Sequence, residues 1–415
     1  MPSGSLEEAE ETARGDVALA GRAAPGATRA GTGRARAGLP PALLWAHLVN
    51  DGLAAYLPGI LPAIALERHL SVALAGSLVT ALLFGQVLQP LAGLLADRIG
   101  GRLLILVGPL LGAAATLGMA FGRGYGLLIA ALLITGLGNT LFHPQALAAA
   151  RRAASSRAGR GMSAFLIAGE AGRALSPLIG GLLVVRWGTG SLWALSIPVL
   201  LTWPWIWRHI PVSPRATAQS TARPRIDWRS HLRPAGALVV YAALRSATIY
   251  GVITFLPLLW RAQGGSLVTG ASMVTTLIGV GIAGNMAGGL ASDRWGRLPV
   301  LAASSLISLL LVVGLIGARG IWLFLLLAVA GIFLFSSLPV TMLAGQDIFA
   351  ENPAFGSGVA LGLGNGIGAL AVLGLGVLSS HFGLHAAFWA MAAGLLVSSA
   401  AVPSLSRRRA AAVTG

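Results

Sequence analysis

From Leu39 to Leu405 the chain alternates between long apolar runs and short polar turns. The runs are of roughly 17 to 25 residues, the length an α-helix needs to cross a ~30 Å hydrocarbon layer. Twelve are predicted: Leu39 to Leu66, Val72 to Ala96, Leu103 to Gly122, Tyr125 to Ala150, Gly161 to Val185, Ser191 to Ile206, Ala235 to Trp260, Leu267 to Ala291, Leu298 to Gly317, Ile321 to Leu343, Phe355 to Ser380 and Ala386 to Leu405. They are called spans one to twelve below. One connector is long, polar and Pro-rich. It occupies 209–234 and separates an N-terminal half, 39–208, from a C-terminal half, 235–405. Residues 1–38 carry Glu7, Glu8, Glu10 and Glu11, then scattered Arg, with no apolar core, and are expected to be a disordered cytoplasmic tail. A short cytoplasmic tail, 406–415, is expected at the other end.

Composition supports lipid as the solvent. Of 415 residues 55% are hydrophobic and 10% charged, and the mean hydropathy is +0.79. A soluble enzyme carries about 25% charged residues. The net charge of +16 does not imply nucleic acid, because every basic residue is Arg and the excess sits in connectors. Seventeen Arg lie in the loops on the side shared by both termini, against five on the opposite side. Basic residues are retained on the cytoplasmic face, so both termini are expected there. Zero Cys removes disulfide and thiolate chemistry.

The two halves repeat at an offset of 195 or 196. Pro62 meets Pro257, Ser71 meets Ser266 and Gly161 meets Gly356. The turn Gly93-Leu-Leu-Ala-Asp97-Arg98-Ile-Gly100-Gly-Arg102 meets Gly289-Leu-Ala-Ser-Asp293-Arg294-Trp-Gly296-Arg297. Parallel halves joined by a long connector are the sequence form of transporters whose substrate site lies at midplane between them. At these turns the chain resembles the major facilitator superfamily, whose loop signature Gly93 to Arg102 matches. The likeness sharpens at His47-Leu-Val-Asn50-Asp51, Tyr56-Leu-Pro58, Gly136-Leu-Gly138-Asn-Thr-Leu-Phe142-His143-Pro144, Leu244-Arg245 and Gln346-Asp347. These resemble the fosmidomycin resistance family, proton-driven antibiotic exporters. Span five is similar to the antiporter signature at Gly172, Pro177, Gly180 and Gly181, with Ser163 and Ser176 in place of two glycines. The superfamily's usual span-four Arg is absent. The resemblance implies an all-α membrane protein of twelve transmembrane helices in two six-helix halves.

Ionisable groups at mid-bilayer cost at least ~2.5 to 3.5 kcal/mol each and need a partner or a purpose. His47, Asn50 and Asp51 stand at i, i+3 and i+4, on one face of span one, and Glu170 and Arg173 are three apart in span five. Span four holds His143 before Pro144, and span seven holds Arg245 between Tyr241 and Tyr250. Each has a structural alternative: Glu170–Arg173 as a static ion pair, Asp51 as counter-ion to Arg245, His143 satisfying a carbonyl at the Pro144 break. The span-five and span-eleven glycines read as close-packing surfaces. His47, Asp51 and His143 lack a second carboxylate, so no metal is expected.

These residues lead to a working expectation. Asp51 and Glu170 are the candidate proton carriers, because a carboxylate beside an Arg becomes easy to protonate once substrate takes the Arg away. Arg245 and Arg173 are expected to meet an anionic group on the substrate, oriented by His47, Asn50, Tyr56, His143 and Tyr250. Gly93, Asp97, Arg98, Asp293 and Arg294 are expected to form a charge lock between cytoplasmic helix ends, although the two Arg could serve topology alone. With no nucleotide loop and no Lys to build one, the proton gradient is the expected energy source, without a cofactor. The expectation is a proton-coupled exporter, not an enzyme, working as a monomer in the bacterial inner membrane. An importer or uniporter of small organic anions remains the alternative.

Overall fold

The computed structural model describes residues 39–88, 91–92, 95, 101–153, 158–210 and 228–406. The expected N-terminal tail lies outside them, as do Gly93, Asp97, Arg98, most of the long connector and the C-terminal tail after Ser406. Among the described residues all regular structure is helical, and ten helical segments are long and apolar enough to cross a membrane. Span two contributes a shorter apolar segment, Val72–Leu88. Span six is a 3₁₀ stretch, Thr189–Ser196, running into a helix at Ile197–His209.

Span one is two helices, Pro41–Leu53 and Leu57–Glu67. The second opens with Pro58 near its N-terminus, where a missing N–H costs nothing. The break frees carbonyls at the end of the first helix. They are taken up locally: Ala54 N–H bonds Asn50 and Asp51 carbonyls at 3.2 Å, and the Ser176 hydroxyl donates to Gly52 O at 2.5 Å. Broken helices survive at membrane depth only where protein or a cavity satisfies the backbone. Span eleven is also irregular, with a π-helical turn at Gly358–Leu363 before Gly364–Phe382.

The repeat governs packing as well as sequence. Span one packs on five as seven packs on eleven, two on four as eight on ten, and three on six as nine on twelve. Ser71 and Ser266 are matching N-caps, accepting from Leu74 N–H at 3.2 Å and from Thr269 N–H at 3.0 Å. The one–five contact is backbone against backbone, since a Cβ on Gly172 would overlap the Leu48 carbonyl. This close approach is what small residues permit between membrane helices.

The halves meet along two seams, span two against eleven and span five against eight. In the first seam Thr80 Oγ1 donates to Ala369 O at 3.2 Å and Ala73 N–H to Ser380 Oγ at 2.9 Å. In the second, Gly181 lies against Ala271 and Ala174 against Gly279. Further along the same faces the helices part: Ile167, two turns before Ala174, is exposed, and so are Met286 and Leu290, on the face of Gly279. A cleft therefore opens between spans five and eight toward the end that bears Arg151, Arg152 and Arg294.

Candidate transport site

Span one carries His47, Asn50 and Asp51 on its inward face, and the break after Leu53 leaves Asp51 in the last turn of a helix. Asp51 is 1% exposed and has four polar neighbours. His47 Nε2 stands 3.4 Å from Oδ2, His143 Nε2 3.3 Å from Oδ1, and Arg173 Nε 3.3 Å from Oδ2. Asn50 donates to Oδ1 at 3.1 Å and, through the same amide nitrogen, to Asn139 Oδ1 at 2.8 Å. Arg173 also donates to Glu170 Oε1 at 2.6 Å, so one guanidinium is shared by the two buried carboxylates of the spans. The cluster draws on spans one, four and five, which the sequence left separate. It borders the cleft: the Arg173 side chain is 41% exposed and that of His143 28%.

Both imidazoles are oriented from behind. His47 Nδ1 donates to Phe165 O and His143 Nδ1 to Asn139 O, each at 2.8 Å. Phe165 stacks on His47 with ring centroids 4.1 Å apart, and Phe142 lies on another side at 5.6 Å. Gly169 makes room for the ring, because a Cβ there would overlap the imidazole. The carbonyl used by His143 is one turn back on its own helix, so the ring serves both the backbone and Asp51.

Arg245 stands apart from this cluster. It is 3% exposed and, among the described residues, forms no ion pair. Its Nη2 donates to Ser246 Oγ at 3.0 Å and to Asn365 Oδ1 at 3.2 Å, and Ser246 donates to the same amide oxygen at 2.6 Å. Among the described residues the Nε has no hydrogen-bond partner. Asp51 thus pairs with Arg173 and not with Arg245, contrary to the counter-ion alternative. Asn365 and Ser246 were missed by sequence reasoning, although both sit at repeat positions, 195 after Glu170 and Asp51.

Of the remaining expected site residues, Tyr250 bridges the halves: its hydroxyl donates to Gln86 Oε1 of span two at 3.0 Å. Gln86 was another miss, detectable only as a polar residue in an apolar run. Tyr56 is 1% exposed in the apolar core at the helix break, and among the described residues its hydroxyl has no hydrogen-bond partner. Asp293 and Arg294 are exposed, and among the described residues neither forms an ion pair; Arg294 lies over the Trp295 ring at 5.8 Å. The contacts between charged groups at this end of the second half are Arg297 with Asp347 and His231 with Glu351. His47, Asp51 and His143 hold ligand atoms within 4.8 Å of one another, but the Arg173 guanidinium already supplies a cation to that carboxylate.

Two seams between matched halves, a broken first span and a buried polar cluster are the architecture of a membrane transporter built from two repeats. The Major Facilitator Superfamily sequence model matches residues 43–372, and the chain belongs to that family as a multi-pass transporter. It is similar to the uncharacterized MFS-type transporter YfnC of Bacillus subtilis, 26% identical over 81% of this chain and 85% of that protein. It is also similar to the fosmidomycin resistance protein of Escherichia coli, 25% identical over 83% of this chain and 87% of the other. In fold it resembles the crystal structure of nucleoside transporter NupG, with TM-score 0.73, 14% identity and coverage of 88% and 98%. The D-xylose-proton symporter is a further structural neighbour, with TM-score 0.69, 16% identity and coverage of 87% and 96%.

Proposed function

We propose that the protein is a proton-coupled exporter of a small, anionic, drug-like molecule. It would act by alternating access in the bacterial inner membrane, with both termini cytoplasmic. One observation supports the reading: a buried His47–Asp51–His143 cluster that shares Arg173 with Glu170 in the first half, and in the second, at the repeat position of Asn50, a buried Arg245 without an ion pair among the described residues. The likeness to a fosmidomycin resistance protein supports export of an antibiotic-like compound.

In this reading an anion entering the cleft meets Arg245 and draws Arg173 away from Asp51. The carboxylate then loses its cation and takes a proton, so that proton and substrate occupy the site in a linked order. His47, Asn50, His143 and Tyr250 orient the groups, and Tyr56 holds the break in span one. Gly93, Asp97, Arg98, Asp293 and Arg294 would form the cytoplasmic lock, which must open for the halves to rock.

The test is transport by purified protein in liposomes under an imposed pH gradient, comparing anionic, neutral and cationic compounds. Movement of the anion against proton flow is expected. Movement in the same direction as protons would identify an importer, and flux indifferent to the gradient a uniporter. Orientation has its own check: reporters fused within 209–234 and after Arg409 are both expected to read as cytoplasmic, and a periplasmic signal from either would refute the topology.

A further inference from the structure

We infer that protons are stored on the His47–Asp51–His143 unit, one at each contact between an imidazole Nε2 and a carboxylate oxygen, giving a capacity of two. The inference rests on the proton-coupled reading and deepens it by moving the proton from a lone carboxylate to a histidine pair.

A backbone carbonyl can only accept, so the bonds to Phe165 O and Asn139 O place a hydrogen on Nδ1 of each ring. A neutral imidazole with Nδ1–H bears a bare lone pair on Nε2. Both lone pairs then face Asp51, His47 toward Oδ2 at 3.4 Å and His143 toward Oδ1 at 3.3 Å. Acceptor facing acceptor in a buried site is repulsive, and among the described residues His47 Nε2 and Asp51 Oδ2 have no hydrogen-bond partner, Arg173 Nε meeting Oδ2 only as an ion pair at 3.3 Å. A proton on either Nε2 turns that repulsion into a charge-assisted hydrogen bond. Each oxygen has its own ring, so the geometry offers two such places.

The surrounding charges set the order. With both carboxylates ionised, Asp51, Glu170 and Arg173 together leave one negative charge when both rings are neutral. The first proton neutralises the cluster; the second leaves it positive and is favoured once Arg173 moves away from Asp51. Asn50 donates to the carboxylate and to Asn139 without adding charge, and Tyr250 of the second half hydrogen-bonds Gln86. Asp51 also lies at a helix C-terminus, where the partial negative charge of the carbonyls favours a cationic ring nearby. His143, the more exposed ring, is the entry point, and His47 is the inner place.

The test is magic-angle spinning NMR of full-length protein with ¹⁵N-labelled histidine in lipid bilayers, titrated from pH 8.5 to 5. Difference spectra against His47→Gln and His143→Gln assign the two rings. Both are expected to show bare Nε2 at high pH and to become imidazolium at low pH. In Asp51→Asn both midpoints should fall by about one pH unit or more, a tenfold loss of proton affinity. Arg173→Gln should move them the other way, a sign that a folding defect does not produce, and the remaining histidine signals report the fold. Rings that stay neutral to pH 5, or midpoints indifferent to both substitutions, would overturn the inference. Failure of wild-type liposomes to respond to a pH gradient would instead reject proton coupling while leaving the storage unit standing.

Discussion

The two halves place a polar triad at the same point of the same scaffold and fill it with opposite chemistry. In the first half it is Asn50, Asp51 and Glu170; 195 residues later it is Arg245, Ser246 and Asn365. In the first half span one meets span five through the Asp51–Arg173 ion pair, and in the second span seven meets span eleven through hydrogen bonds from Arg245 and Ser246 to Asn365. The first triad is acidic and needs Arg173 and two histidines around it. The second holds its only charge with neutral partners. The helices therefore do not need a particular charge in order to pack, and the charge each half carries is free to serve transport. An Arg held by a hydroxyl and an amide keeps its positive charge uncompensated, which suits an anion that comes and goes. An Asp ringed by proton-binding groups suits a proton that does the same.

Removing the acid from the first triad should have the largest effect. Asp51→Asn is expected to abolish proton-driven accumulation in liposomes, a loss of about 100-fold or more, roughly 2.7 kcal/mol, and Glu170→Gln to do the same. Both should leave folded protein in the membrane by size-exclusion chromatography. If both variants still pump against a gradient, the division of labour between the halves is wrong.

Changing the shape of the second triad's cation while keeping its charge should matter less. Arg245→Lys is expected to lower affinity for an anionic substrate by roughly tenfold, about 1.4 kcal/mol. An ammonium lacks the planar fork that reaches Ser246 and Asn365 and still leaves donors for a ligand. Binding measured by calorimetry should show the change with normal expression, and unchanged affinity would leave Arg245 only a structural role.

The smallest change is expected from the neutral partner. Asn365→Ala removes one acceptor of the Arg245 guanidinium and should weaken anion binding by about 1 kcal/mol, roughly fivefold, with proton coupling intact. A loss of coupling in this variant would show that the halves do not divide the work as the triads suggest.

Much of the architecture is legible along the chain because each rule behind it is local. A hydrocarbon layer demands about 20 apolar residues per crossing, and the ends of spans two and eight are written in Ser71 and Ser266, whose hydroxyls need only the next turn. The helical spacing of His47, Asn50 and Asp51 likewise puts them on one face before any neighbour is known. The cost of charge in lipid marks Asp51, Glu170, Arg173 and Arg245 as residues with a task.

Partners could not be read in the same way. The sequence offered Arg245 as a counter-ion for Asp51, and only the packing of span five against span one brings Arg173 to it instead. Asn365 looks idle as a neutral repeat partner of Glu170 until span eleven brings it to Arg245. Gln86 meets Tyr250 across 164 positions. A hydrogen bond or ion pair of about 3 Å depends on the rotation and tilt of two helices distant in sequence, and the apolar pattern fixes only which face turns inward. The sequence thus determined which groups lie within the membrane and on which helical face. The tertiary structure decided which of them touch, and so which charge is shared and which stands uncompensated.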